Sequence, residues 1–254
     1  MNIYNQISDL IGQNKEGVLC IITDTTGSSP RKAGSKMIVF PDRKIVGTIG
    51  GGSIEFQAIS DAIEVLKIGI PLKKTFKLEE DLAMHCGGTV EIYFEPIKSS
   101  LDLYIFGAGH IGRVVARYAL DFGFRVTIFD QREEIIKEFD TSPYRCVSEE
   151  FYSAIEKADF SENTFCVIVT PKHEYDERIV MNLARKPFGY LGMIGSQRKV
   201  AEVKKNMLEK DGFKQPEIDR IDMPIGIKFN AETPEEIAVS IIAKLIDVKN
   251  SLNK

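Results

Sequence analysis

The sequence holds no stretch long enough to cross a bilayer: its longest apolar runs, 18–22 and 165–169, fall far short of the roughly 20 residues a spanning helix needs. The opening segment MNIYNQISDLIGQNKEG reads as an amphipathic helix. It lacks the basic start, apolar centre and small-residue cleavage site of a secretory signal. Cysteine is sparse, at positions 20, 86, 146 and 166, and no CxxC pair occurs. That excludes the usual zinc spacing and a dense disulfide framework, so a reducing cytoplasm is the expected compartment and no residue is assigned to a metal. Pro, Gln and Ser are not in excess, and 43% of residues are hydrophobic against 28% charged, as in a chain that folds. A net charge of -4 gives no basic track for a polyanion. Neither nucleic acid nor a membrane is an expected partner.

What is present falls into two rhythms. The first is mixed: a β-branched run at 17–25, a breaker cluster TTGSSPRKAGS, and a hairpin pattern with strands at 36–40 and 45–49. The triple glycine Gly50, Gly51 and Gly52 follows and feeds a helix over 53–67, with Ser53 as its expected cap. Strands near 74–78 and 89–95 flank the loop EEDLAMHCGG, and 96–100 is the expected linker. Beyond it, strands expected at 102–106, 125–130, 144–147, 165–170 and 189–193 alternate with helices, the signature of a parallel sheet covered on both faces. Thr233, Pro234 and Glu236 predict a capping box at the start of the last helix. The expected class is α/β: a Rossmann-type doubly wound parallel sheet over residues 99–254, after a smaller α+β domain over 1–98.

The segment LYIFGAGHIG places Gly107, Gly109 and Gly112 in a G-x-G-x-x-G pattern directly after an apolar strand and at the start of a helix. The next strand ends in Asp130, close to the offset of about 20 residues at which such folds carry a ribose-binding acid. In this pattern Gly107 permits the turn, Gly109 lets main chain approach a diphosphate, and Gly112 lets helix and strand pack closely. The helix N-terminus then favours the anion. Arg132 is a candidate phosphate partner or a solvated helix-start residue; His110 is a candidate pyrophosphate neighbour or merely exposed.

These motifs, together with GSSPRKAGSKM (27–37), GTIGGGSIE (47–55), CGGTVEIYFEP (86–96), FDQR (129–132), GMIGSQRK (192–199) and AETPEEIAVSIIAKL (231–245), resemble those of the XdhC/CoxI family across nearly the whole chain. The resemblance implies an accessory protein of molybdenum hydroxylases such as xanthine dehydrogenase. Such a protein binds the molybdenum cofactor, molybdopterin, shields it while a partner cysteine desulfurase installs sulfur, and hands it to the apo-enzyme as a cofactor chaperone. One departure is VTPKHEYD, in which Pro171 stands where family members often carry a histidine, and His173 follows two residues on.

A pterin with a phosphate and dithiolene sulfurs asks for main-chain amides, cations and neutral polar edges. Candidates are the amides of Gly50, Gly51, Gly52, Gly107, Gly109 and Gly112, and the cations Arg31, Lys32 and Arg132. Gly195 and Ser196 before a helix, with Arg198 and Lys199 in its first turn, form either another anion site or a capped helix with solvated cations. Glu55 either contacts the cofactor or favours its helix start. Cys86, flanked by His85 and two glycines, is the candidate reactive thiol, whereas Cys20 and Cys166 lie in β-branched runs and read as core. Two alternatives stay open: an NAD(P)-dependent oxidoreductase and a nucleotide-sensing regulator. A homodimer is the expected assembly if the protein self-associates.

Overall fold

In a computed structural model, which describes residues 2–79, 87–139 and 143–252, the chain divides into two compact units, Met1–Ser99 and Ser100–Lys254. The first is an antiparallel sheet of order β3-β2-β1-β5-β4, built from β1 (Gly17–Thr26), β2 (Lys36–Val39), β3 (Ile45–Gly47), β4 (Leu72–Lys77) and β5 (Thr89–Ile97). Alternation along β1 divides the work. Val18, Cys20 and Ile22 pack with Ile54, Ala58, Ala62 and Val65 of α2 (Gly52–Ile68), while Leu19 faces Leu10 of α1 (Ile3–Gly12).

Two expectations for this unit change. The linker does not begin at Pro96: Pro96 and Ile97 continue β5, opposite Val18 and Gly17 of β1. The neighbouring β4 reaches only Phe94, so Pro96 sits where the strand has become an edge on that side, and there proline is tolerated. Nor does Ser53 cap α2. The helix begins one residue earlier, after Gly51, without a side-chain cap.

The second unit is a parallel sheet of order β10-β9-β6-β7-β8, with β6 (Asp102–Phe106), β7 (Arg125–Asp130), β8 (Arg145–Ser148), β9 (Thr164–Ile168) and β10 (Tyr190–Met193). Along β6, Leu103 and Ile105 point into one layer and Tyr104 and Phe106 into the other, and every one of these is buried. The first layer is closed by α3 (His110–Asp121), α4 (Glu133–Lys137) and α9 (Pro234–Ser251). The second is closed by α5 (Phe151–Lys157), α6 (His173–Leu183), α7 (Gln197–Glu209) and α8 (Gln215–Asp219). Helices on both faces make the sheet doubly wound, as expected. The predicted strand 165–170 ends at Ile168: the Val169 N–H still bonds the Phe106 carbonyl of β6, but the Thr170 N–H turns to Asp176 of α6. Thr233 and Glu236 cap α9 reciprocally with Pro234 in its first turn, as the pattern required. Among the described residues no helix is long and apolar enough to cross a membrane.

Candidate functional site

The central strands β6 and β9 are neighbours, yet their following connections run to opposite sides of the sheet: β6 continues through α3 to β7, and β9 through α6 to β10. The crevice outside the carboxyl ends of such a pair is where ligands enter open α/β sheets. A cavity of about 410 Å³ lies there, lined by Ala108, Gly109, His110, Arg113, Arg132, Val169, Pro171 and Pro234 among others.

The three glycines of the turn divide their roles as their chemistry demands. Gly107 has φ +115, and a Cβ on it would lie 2.4 Å from the Val169 carbonyl oxygen. On Gly112 a Cβ would lie 1.9 Å from the Gly107 carbonyl oxygen, so only glycine lets α3 sit this close to β6. A Cβ on Gly109 would touch nothing, and α3 starts there without a side-chain cap. The open position therefore faces the cavity, and the crowded ones build its frame. His110, the first residue of α3, is exposed.

Asp130 does not present a vacant carboxylate. It is buried and accepts from the Ala108 main-chain N–H at 2.8 Å while Arg132 grips both its oxygens, Nε at 2.9 Å and Nη2 at 2.6 Å. Burial pushes its carboxyl up, but the bonds from Arg132 and Ala108 outweigh this and hold it below the usual range. Arg113, which sequence reasoning passed over, bridges α3 to α4 by bonding the Ala108 and Ile135 carbonyls and Glu138.

The remaining candidates lie elsewhere. Ser196 caps α7, its hydroxyl accepting from the Lys199 N–H at 3.4 Å, and Arg198 is exposed. Neither borders the 410 Å³ cavity, although Gly195 and Gln197 line another of about 650 Å³ beside the 222–231 segment. Sequence reasoning missed a cluster centred on a buried carboxylate beside these loops. Asp176 accepts from the Thr170 N–H and hydroxyl, and faces His173 Nδ1 at 3.5 Å and Lys199 Nζ at 3.7 Å. Nothing in composition marks it except Thr170 and Asp176 standing close together at the start of α6.

In the first unit the glycine-rich segments converge. A Cβ on Gly88 would lie 2.2 Å from the Ser28 carbonyl oxygen, and one on Gly50 would lie 2.7 Å from Pro30. Gly50, Gly51 and Gly52 all have positive φ, and the loop they make is filled by this chain's own carboxylate. Glu55 Oε1 accepts from the Ile49 N–H at 3.1 Å, the Gly50 N–H at 3.3 Å and the Thr48 hydroxyl. Burial pushes Glu55 up, yet those bonds and one from Gly51 win and hold it low. Arg31 and Lys32 are exposed. Cys86 and His85 lie outside the described residues. Cys20 and Cys166 are fully buried, and burial, aided by Asp61, raises the Cys20 thiol to about 12.

The XdhC Rossmann domain family matches residues 103–245, and the XdhC and CoxI family matches residues 10–76. The chain belongs to the XdhC and CoxI family. An Escherichia coli K12 protein described as uncharacterized, YqeB, is 32% identical over 99% of this chain, which spans only 47% of that longer protein. A Bacillus subtilis 168 protein described as a probable xanthine dehydrogenase subunit is 21% identical, with 98% of each chain covered. The E. coli K12 molybdenum cofactor insertion chaperone PaoD is 22% identical over 92% of this chain and 84% of its own. A crystal structure described as a xanthine dehydrogenase from Bacillus halodurans shares the fold, with TM-score 0.53 and 20% identity over 99% of this XdhC-family chain and 96% of that one.

Proposed function

We propose that this protein binds the molybdenum cofactor as cargo, assists its sulfuration, and delivers it to an apo-hydroxylase of the xanthine dehydrogenase type. The observation that carries this is the 410 Å³ cavity at the switch point between β6 and β9, with an open helix start at Gly109 and a guanidinium at its wall. Molybdopterin ends in a phosphate, and such a group asks for unobstructed main-chain N–H donors and a nearby cation. Family membership and the names of PaoD and of the B. subtilis protein support the cargo and the recipient. Cys86 is the thiol assigned to cofactor retention or sulfur handling, and a cysteine desulfurase is the sulfur donor in this scheme. The NAD-dependent form of the oxidoreductase alternative loses its main residue-level support, because Asp130 is already engaged by Arg132 and Ala108.

The test is retention. Purified protein is mixed with molybdenum cofactor and passed through gel filtration, and the pterin that travels with the protein is measured by its fluorescence after oxidation. Wild type retains pterin in stoichiometric proportion. Gly109→Val fills the open position and retains little, and Cys86→Ala weakens retention or the subsequent activation of an apo-hydroxylase. Wild-type protein emerging free of pterin would remove the proposal.

A further inference from the structure

The Asp130 carboxylate has no acceptor position left. Oδ1 takes the Arg132 main-chain N–H at 3.0 Å and its Nε–H at 2.9 Å, and Oδ2 takes Nη2–H at 2.6 Å and the Ala108 N–H at 2.8 Å. A carboxylate offers about four lone-pair sites, and four donors fill them. The acid at the end of this strand is the group that ordinarily accepts the hydroxyls of a nucleotide ribose. Here an incoming vicinal diol meets a saturated acceptor. It could bind only by displacing Arg132 from a carboxylate whose side chain is 1% exposed, breaking a two-pronged charge-assisted pair to do so.

The same pair determines what a ligand meets instead. Arg132 lines the cavity and its side chain is 31% exposed, so the polar group beside Asp130 is a cation held in a fixed plane by that carboxylate; the carboxylate that also lines the cavity, Glu138, is paired with Arg113 at 2.8 Å. With Nε and one Nη2 proton committed to Asp130, the Nη1 protons and the second Nη2 proton form the edge of the planar guanidinium that a phosphate would meet. We propose that Arg132 sets the ligand class of this cavity: it closes Asp130 to an unphosphorylated ribose diol and offers in its place a docking point for a phosphomonoester. This rests on the cavity being the ligand site, as under the proposed function, but not on the ligand being a molybdenum cofactor.

The matched probes are NAD⁺ and NADP⁺, which differ by one phosphomonoester on a ribose, each titrated calorimetrically into the full-length protein. Wild type binds NADP⁺ about tenfold or more tightly than NAD⁺, the span expected of one charged contact. Arg132→Met keeps an apolar stem and removes the donors, which frees Asp130. In that variant NADP⁺ weakens by about tenfold and NAD⁺ gains, so the order reverses. Adding Asp130→Asn to Arg132→Met abolishes the gain for NAD⁺. Equal wild-type affinity for the two, no detectable NADP⁺ binding, or a folded Arg132→Met protein with no improvement for NAD⁺ each overturns the proposal. Should Arg132→Met fail to fold, the wild-type ratio and a lower ratio in Arg132→Lys, which keeps the charge without the fork, decide it. Failure of the cofactor proposal has a different signature, an absence of retained pterin with the NADP⁺ to NAD⁺ ratio intact.

Discussion

Lys199 Nζ lies 3.7 Å from Asp176 Oδ2, and both atoms are buried without a hydrogen-bond partner among the described residues. The other carboxylate oxygen is well held, by the Thr170 hydroxyl at 2.6 Å and its N–H at 3.1 Å. The pair therefore ties the start of α6 to the start of α7 at the carboxyl edge of the sheet through a contact that is electrostatic more than directional. Removing one partner of a buried pair leaves the other uncompensated, which is the costly way to break it.

Lys199→Met is expected to destabilise the protein by about 3 kcal/mol at neutral pH, measured by chemical denaturation. The sign of its pH dependence follows from Asp176. Burial pushes that carboxyl above its ordinary 3.8, with Thr170 and Lys199 opposing. A raised folded-state value means that the neutral acid is the form the fold tolerates, so stability is lost as pH rises through the raised value. Without Lys199 that loss grows. The variant should therefore be closer to wild type in acid, as pH falls towards the ordinary carboxylate value of 3.8, than at neutral pH, and a deficit that stays the same down to that value would show that Asp176 is not the group responsible.

Glu55→Gln tests the opposite sign. The carboxylate of Glu55 serves as the acceptor for the glycine loop at Ile49 and Gly50, and its folded value is held below 4.5. The stability it contributes is present above that ordinary value and is lost as pH falls through the lowered one. At pH 7 the variant should lose about 1–2 kcal/mol, the worth of charge-assisted bonds exchanged for neutral ones. At pH 3 the difference from wild type should shrink. A deficit that persists undiminished in acid would mean that the glutamate acts through shape rather than charge.

Much of this architecture was legible before any coordinates, for a physical reason. The parallel strands are buried on both faces and so read as continuous apolar runs, and the Thr233–Pro234–Glu236 cap is a local pattern that needs no tertiary contact to form. The misreadings came where a tertiary relation decided the outcome. Ser53 stands in the ordinary place for a cap, yet the helix starts at Gly52 after Gly51, which puts Ser53 inside the first turn, while Glu55 folds back onto the Ile49 and Gly50 amides. Pro96 looks like a breaker until its pairing with Val18 is known. Asp130 sits at the offset of a ribose acceptor, but spacing along the chain carries no information on whether Arg132 will turn back upon it. The Asp176–Lys199 pair joins residues from two helices, and no periodicity within either one points to it.

The glycine turn yields the sharpest contrast, because two substitutions of the same kind three residues apart should behave oppositely. At Gly112 an alanine Cβ would stand 1.9 Å from the Gly107 carbonyl oxygen, a main-chain atom that cannot step aside unless α3 lifts from β6. Gly112→Ala should cost at least about 3 kcal/mol or prevent folding, as overpacking against backbone does. At Gly109 the backbone has φ -72, which any residue adopts, and the added Cβ meets nothing. Gly109→Ala should melt within about 2 °C of wild type, since surface changes away from special features rarely exceed about 0.5 kcal/mol. Its effect should appear only in ligand binding, because the methyl group occupies space at the cavity wall where a ligand's phosphate would approach the α3 amides. If Gly109→Ala instead destabilises the fold as Gly112→Ala does, both glycines are structural and the open position at the cavity wall has no bearing on ligands.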